Sequence, residues 1–236
     1  MSRAFLVRIA VRAASIVALM AMLVAPGPAS AHQRGATVLP PDARPCGYSL
    51  SEMTRRLALF TTSGNDQAYY PRTPFQILYF DPATAQVDTS GDGWAFSGTN
   101  TFSVPAGTQF FVPLQNADDS PPVLGTLPRS QAEAASYFFD PAQLGAKGYR
   151  IDVDGVATPI GPRYVAGPVR TPPLLDGGGR HMITLGAFVG PLPPGKHTVT
   201  IDGGLYGDLL FPAYGIRFLR GHFSYQVSVA PAHPHR

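Results

Sequence analysis

The chain of 236 residues is long enough for one domain with a hydrophobic core. Glycine and proline number 25 each and are scattered without a period, which excludes collagen and predicts many turns between short elements. The formal net charge is +3, but the first 31 residues hold three of the 18 basic residues and none of the 15 acidic ones. The remainder is therefore neutral, which removes the main electrostatic support for nucleic acid as a partner.

Residues 1–31 have the pattern of a secretory signal peptide. Three arginines precede an uncharged apolar segment at 13–25, and Ala29-Ser30-Ala31 supplies small residues for cleavage. The apolar segment is shorter than the ~20 residues that span a bilayer. We therefore expect a secreted protein, periplasmic or extracellular, whose mature chain begins at His32 and has no stable membrane span.

Residues 32–48 lack periodicity, which predicts an irregular N-terminal arm. This arm carries Cys46, the only cysteine, so no intramolecular disulfide can form. Two capping-box patterns follow, Ser49 with Glu52 and Ser130 with Glu133. The first precedes apolar residues at helical spacing and predicts a helix over 50–61, and the second predicts a short helix to about Phe138.

The rest of the chain has the pattern of short strands between glycine- and proline-rich turns. Residues 115–128 and 157–180 are predicted as loops, the second with one edge strand. Asp154-Gly155 is a hairpin signal. Strands are predicted from alternation or apolar runs at 75–80, 99–104, 108–114, 149–153, 213–219 and 222–229.

The most regular alternation lies in His181–Asp202. Ile183, Leu185, Ala187 and Val189 share one face of a first strand, and His197, Val199 and Ile201 share one face of a second. The intervening Pro194-Gly195 predicts a turn in which Gly195 adopts a positive φ.

These patterns predict an all-β, antiparallel β-sandwich with one or two short accessory helices, the jelly roll being one such topology. The sandwich domain is expected to cover 49–230, followed by a disordered tail at 231–236.

Three short motifs resemble those of a family of small secreted bacterial β-sandwich proteins of unknown function. They are the helix start Gly47–Glu52, the turn Val104-Pro105-Ala106-Gly107 and the segment Leu192–Val199, with Val153-Asp154-Gly155 matching the family's VDG hairpin. The resemblance implies a single β-domain with an N-terminal helix and implies no activity.

One candidate metal site stands out. Asp88, Ser90 and Asp92, followed by Gly93, match the first half of a calcium loop, with oxygen ligands at alternate positions before a glycine. The glutamate expected at the twelfth position is Thr99, and an ordinary Asp-Gly turn explains the same residues. Calcium is thus a candidate cofactor with too few local charged ligands for tight binding, and we expect no other cofactor.

Two functions remain open. The first is a non-catalytic secreted protein that binds a ligand or a protein partner at the cell envelope. Its candidate contacts are the aromatic residues of apparent loops, Tyr69, Tyr70, Trp94 and Tyr206. The alternative is a secreted hydrolase acting on polysaccharide. It would use Asp152 or another carboxylate. Asp152 lies two residues from Asp154 on one strand face beside Arg150 and is predicted to be solvated.

Overall fold

The computed structural model describes residues 37–81 and 84–231, which belong to one compact unit. The predicted signal peptide and the predicted tail beyond Pro231 lie outside the described residues.

In the described residues, ten strands form two sheets, one of four strands in the order β1-β4-β8-β7 and one of six in the order β2-β3-β10-β9-β5-β6. The strands are β1 (Phe75–Ile77), β2 (Gln86–Asp88), β3 (Gly93–Val104), β4 (Gln109–Asp118), β5 (Ala146–Val153), β6 (Val156–Pro159), β7 (Val165–Arg170), β8 (His181–Val189), β9 (Gly195–Leu205) and β10 (Phe218–Val229). The predicted all-β sandwich with accessory helices is confirmed. Both sheets are mixed rather than purely antiparallel, because β1 pairs parallel to β4 and β3 pairs parallel to β10.

Within the part of the chain that the structure describes, three α-helices accompany the sheets: α1 (Leu50–Thr62), α2 (Gln131–Phe139) and α3 (Leu210–Tyr214). The two predicted N-caps are present, since the hydroxyl of Ser49 accepts from the Glu52 amide at 3.2 Å and that of Ser130 from the Glu133 amide at 3.3 Å. The Glu133 carboxylate accepts from the Arg129 amide, one residue before the expected partner. None of the helices in the described ranges is long and apolar enough to cross a membrane.

Strand β8 is buried along almost its whole length, which the one-sided alternation did not predict. Ile183 and Leu185 face the core between the two sheets. Phe188 packs on the opposite side against α1, in a second core that includes Met53 and Leu57. The four-stranded sheet therefore has both faces covered, one by the other sheet and one by α1.

The two most regular strands do not pair with each other. Strand β8 lies in the four-stranded sheet and β9 in the six-stranded sheet, so residues 190–194 cross between the layers. His181 and His197 accordingly bond to different partners, Asp119 at 2.8 Å and Asp154 at 2.6 Å. His197 also bonds to the Pro193 carbonyl through Nε2 at 2.8 Å.

Several predicted boundaries are wrong. The expected loop 115–128 begins with the last four residues of β4. The expected loop 157–180 contains β7, which matches its one predicted edge strand, and also most of β6, which was not predicted. The segment 213–219 holds the end of α3 and the start of β10 instead of a separate strand. The hairpin at Asp154-Gly155 is confirmed: both residues have positive φ, 52° and 87°, as a type I′ turn requires.

Gly195 begins β9 with a φ of 140°, so its predicted positive φ is confirmed. Gly195→Val places a β-branched residue in a backbone region that it rarely adopts, and we expect a loss of about 1–3 kcal/mol in the free energy of unfolding. Chemical denaturation measures this loss. Lys196→Val, one exposed position along the same strand, is the matched control and should change the value by less than about 0.5 kcal/mol. Equal stability of the two variants would contradict the strain argument.

Candidate functional site

A cleft of about 410 Å³ opens between the two sheets near the C-terminal end of α1. Its walls come from residues 61–65 at the end of α1, the segment 78–80 after β1, the second half of β4 and the inner face of β9 and β10. The volume falls within the ~300–1,000 Å³ typical of small-molecule sites.

The cleft lies where β1 leaves its neighbour. Strand β1 pairs only with Gln109–Phe111 of the ten-residue β4, and residues 78–80 then turn away toward β3, where the Asp81 amide donates to the Thr99 carbonyl. A register shift between Pro113 and Gln115 places a β-bulge at Leu114. The bulge and the departing strand together leave residues 113–118 of β4 facing the cleft.

Two glycines of the six-stranded sheet lie in the opposite wall of the cleft. Gly221 of β10 stands directly across from Gly203 of β9 in the ladder. A Cβ on Gly203 would overlap the Tyr149 ring, and a Cβ on Gly221 would lie 2.8 Å from the Phe223 ring. The rings of Tyr149 and Phe223 thus lie flat against the sheet instead of filling the space between the layers.

Aromatic and aliphatic side chains supply most of the lining. Phe80 and Phe223 stack with ring centroids 5.0 Å apart and an interplanar angle of 19°. Tyr79 contacts Phe102 edge-on across the core. The remaining apolar lining comes from Leu78, Phe96, Pro113, Leu114, Ile201, Leu219 and Tyr225.

Two carboxylates lie at the α1 end of the cleft, joined through Ser120. The Asp118 carboxylate accepts from the Ser120 amide at 2.8 Å, and the Ser120 hydroxyl donates to Asp176 at 2.9 Å. Burial raises the pKa of Asp118; its bond to Ser120 opposes the rise, while the neighbouring charges of Asp176 and Asp119 add to it. No basic side chain in the described ranges forms an ion pair with Asp118 or Asp176.

The other two charged residues along the cleft have their charges engaged elsewhere. The Asp202 carboxylate lies 3.0 Å from Arg150 and 2.7 Å from His222, its direct neighbours on β5 and β10. The guanidinium of Arg220 lies over the Phe218 ring, 4.4 Å from its centroid. Both contacts are on the outer face of the six-stranded sheet, so the charge left on the cleft side is negative.

The candidate calcium ligands lie away from the cleft, in the β2–β3 hairpin. Asp88 is exposed, and hydrogen bonds from the side chain and from the amide of Ser90, the latter at 2.8 Å, lower the pKa of Asp88. The Asp92 carboxylate lies 3.9 Å from the Arg217 guanidinium. Within the described ranges, no three His, Cys, Asp or Glu side chains come together as a metal site.

Asp152 also lies outside the cleft. It is half-buried on the outer face of β5, where its carboxylate accepts from the Gly155 amide at 2.7 Å in the hairpin turn. The Asp154 carboxylate is engaged separately, by His197 and the Thr198 amide. The structure therefore does not bring Asp152 together with another carboxylate over an apolar surface.

The four candidate aromatics have different environments. Tyr70 is half-buried, packs on Phe60 and accepts from the Ile77 amide, and Trp94 belongs to β3 rather than to a loop and packs on Tyr214. Tyr69 and Tyr206 are more than two-fifths exposed. None of the four lines the cleft.

Sequence reasoning did not identify the cleft residues, because they come from separated strands and from glycines read as turn signals. One local signal was present. The buried-type run at 75–80 continues in aromatic residues past the three residues that pair as β1. An apolar run longer than its ladder indicates a second apolar surface, which here is the cleft.

The raised pKa of Asp118 predicts a pH-dependent stability difference. The folded protein holds this proton more tightly than the unfolded chain, so the contribution of Asp118 is fully present below the ordinary aspartate pKa. It is lost as the pH rises through the raised pKa. Asp118→Asn keeps an acceptor for the Ser120 amide and removes this loss. We expect the variant to melt above wild type at neutral pH and near wild type in acid.

Asp119→Asn is the matched control for this pH series. Burial of Asp119 is outweighed by hydrogen bonds from His181 and Arg180, which lower its pKa, so its variant should melt below wild type at neutral pH. The same sign of change in both variants at neutral pH would contradict the assignment for Asp118.

Calorimetric titration with calcium is expected to give no saturable heat. Calcium takes about 6–8 oxygen ligands, whereas the Asp88 carboxylate already accepts from Ser90 and Asp92 lies beside an arginine. Saturable heat, lost in Asp88→Asn, would establish the site instead.

Comparisons with known proteins give no family for the chain. No family model and no curated protein matches it. A structure described as the solution structure of Amebosin aligns at 12% identity over 56% of this chain and 95% of its own, with a TM-score of 0.20. A second, described as PbICP-C in complex with falcipain-2, aligns at 14% identity over 59% of this chain and 99% of its own, with a TM-score of 0.22. TM-scores this low carry no argument about fold or function.

Proposed function

We propose that the protein is a secreted, non-catalytic binding protein that takes a small, largely apolar molecule into the cleft between its sheets. The observation that carries this proposal is the cleft itself, about 410 Å³ in volume and lined mainly by aromatic and aliphatic side chains with a few polar groups at one end. A concave apolar site with few convergent polar groups is the usual form of a small-molecule site.

The lining is organised for contact rather than for chemistry. The stacked pair Phe80 and Phe223 offers flat apolar surface, and burial of ring area is the main favourable contribution to binding such a molecule. The Tyr149 hydroxyl donates to Gln115 at 3.4 Å, a long bond that a ligand acceptor can replace. The polar groups therefore orient a ligand that the apolar lining holds.

The signal-peptide pattern of residues 1–31 supports the proposed location of the protein outside the cytoplasm. A secretory signal followed by a β-sandwich with a single cysteine is consistent with a binding protein that works at the cell envelope or outside the cell. The carboxylate suggested for polysaccharide hydrolysis, Asp152, lies on the outer face of β5, away from the cleft. The geometry thus supports binding better than hydrolysis by Asp152.

Gly221→Leu tests the proposal by filling the cleft from the wall of β10. The added side chain meets the far end of the Phe223 ring and pushes into the space between the sheets. We expect wild type to enhance the fluorescence of the neutral apolar probe N-phenyl-1-naphthylamine, and the variant to bind it at least about tenfold more weakly, a loss of about 1.4 kcal/mol.

Gln226→Leu is the matched control, since it adds a leucine to an exposed position of the same strand outside the cleft. Circular dichroism tests whether both variants fold. If Gly221→Leu does not fold, Phe223→Ala, which enlarges the cleft, serves as the second variant. Equal probe affinity in wild type and the cleft variant, or no probe binding by wild type, would overturn the proposal.

A further inference from the structure

We propose that the natural ligand of the cleft is an organic cation: a molecule with an apolar body and an ammonium group that lies between Asp118, Asp176 and the C-terminal end of α1. This inference rests on the proposed function and names the chemical class of the molecule that the cleft takes.

The charged groups that face the cleft are negative. Of the four charged residues that line the cleft, Asp202 and Arg220 make their contacts on the outer face of the sheet, with Arg150 and His222 and with the Phe218 ring. Asp118 and Asp176 remain, and no cation of the described chain pairs with them. Asp176 is exposed, but Asp118 is half-buried. A half-buried carboxylate without a cation is unfavourable, and a ligand that brings a cation removes that cost.

The C-terminal end of α1 also favours a cation, independently of the carboxylates. Helix α1 is 13 residues long, and the residues of its C-terminal end, Thr61 and Thr62 with Gly64 and Asn65 beyond it, line the same end of the cleft. The aligned peptide dipoles of a helix place partial negative charge at its C-terminus and favour a cation there. The helix end and the two aspartates therefore both place negative charge at the α1 end of the cleft.

The aromatic lining of the cleft suits a ligand with an ammonium group and an apolar body. Phe80 and Phe223 stack beside the cleft, and the rings of Tyr79 and Tyr225 also line it. Aromatic faces attract ammonium groups within about 6 Å and also bury the apolar part of a ligand. An anionic ligand would meet unfavourable charge at the α1 end, and a neutral one would leave the two carboxylates without a cation.

The test compares three probes of nearly equal size and different charge: phenylbutylamine, phenylbutanol and phenylbutyrate. Calorimetry with the full mature chain at neutral pH should give the tightest binding for the amine, at least about tenfold over the alcohol, with the carboxylate weakest. The amine should bind more weakly as the pH falls and Asp118 takes up a proton.

Asp118→Asn and Asp176→Asn should each remove most of the amine's advantage and leave the alcohol unchanged. Asp152→Asn, which neutralises a carboxylate on the outer face, should leave the preference for the amine intact. Equal binding of all three probes, or tightest binding of phenylbutyrate, would overturn the cation inference while leaving the apolar cleft proposal in place. Failure of the three probes and of N-phenyl-1-naphthylamine to bind would overturn the proposed function as well.

Discussion

The structure depends on the burial of β8 from both sides. An antiparallel sandwich needs only one apolar face on each sheet, but here Ile183 and Leu185 face the other sheet while Phe188 faces α1. Burial of each face removes apolar surface from water, which stabilises the fold by roughly 25 cal/mol per Å² of buried apolar area. Because the outer face of the four-stranded sheet is apolar, α1 must lie against it. The position of α1 in turn places the end of the helix beside β4, where the cleft opens.

A cleft in the middle of a sandwich needs a reason, because facing sheets normally fill the space between them. Here the glycines at 203 and 221 let the rings of Tyr149 and Phe223 lie down on the six-stranded sheet. The bulge at Leu114 and the departure of β1 open the facing sheet at the same level. The volume thus results from several local features of the backbone that coincide on different strands.

The charged groups on the outer face of the six-stranded sheet behave differently from those along the cleft. On the outer face, Asp202 is paired with His222 and also contacts Arg150. Such exposed pairs contribute little to stability, because water screens them. On the cleft side Asp118 has a hydroxyl- and amide-bearing neighbour, Ser120, instead of a cation, so its charge is the one that a ligand would meet.

The sequence by itself determined the local features of this protein. Period-two alternation predicted a strand at 222–229, which forms most of β10, and the side chains of Ser49 and Ser130 predicted where two helices begin. The positive φ of Asp154-Gly155 and of Gly195 followed from residue type. These features depend on contacts within a few residues, which the order of the amino acids specifies directly.

Only the tertiary structure decided which strands become neighbours. Strands β8 and β9, adjacent in the chain, lie in different sheets, whereas β3 and β10, more than a hundred residues apart, pair along twelve residues. Strand pairing depends on how whole faces are buried, and the alternation of a single strand carries no information about its partner. The cleft was hidden for the same reason: Asp118, Asp176 and Gly221 come together only once both sheets and α1 have packed.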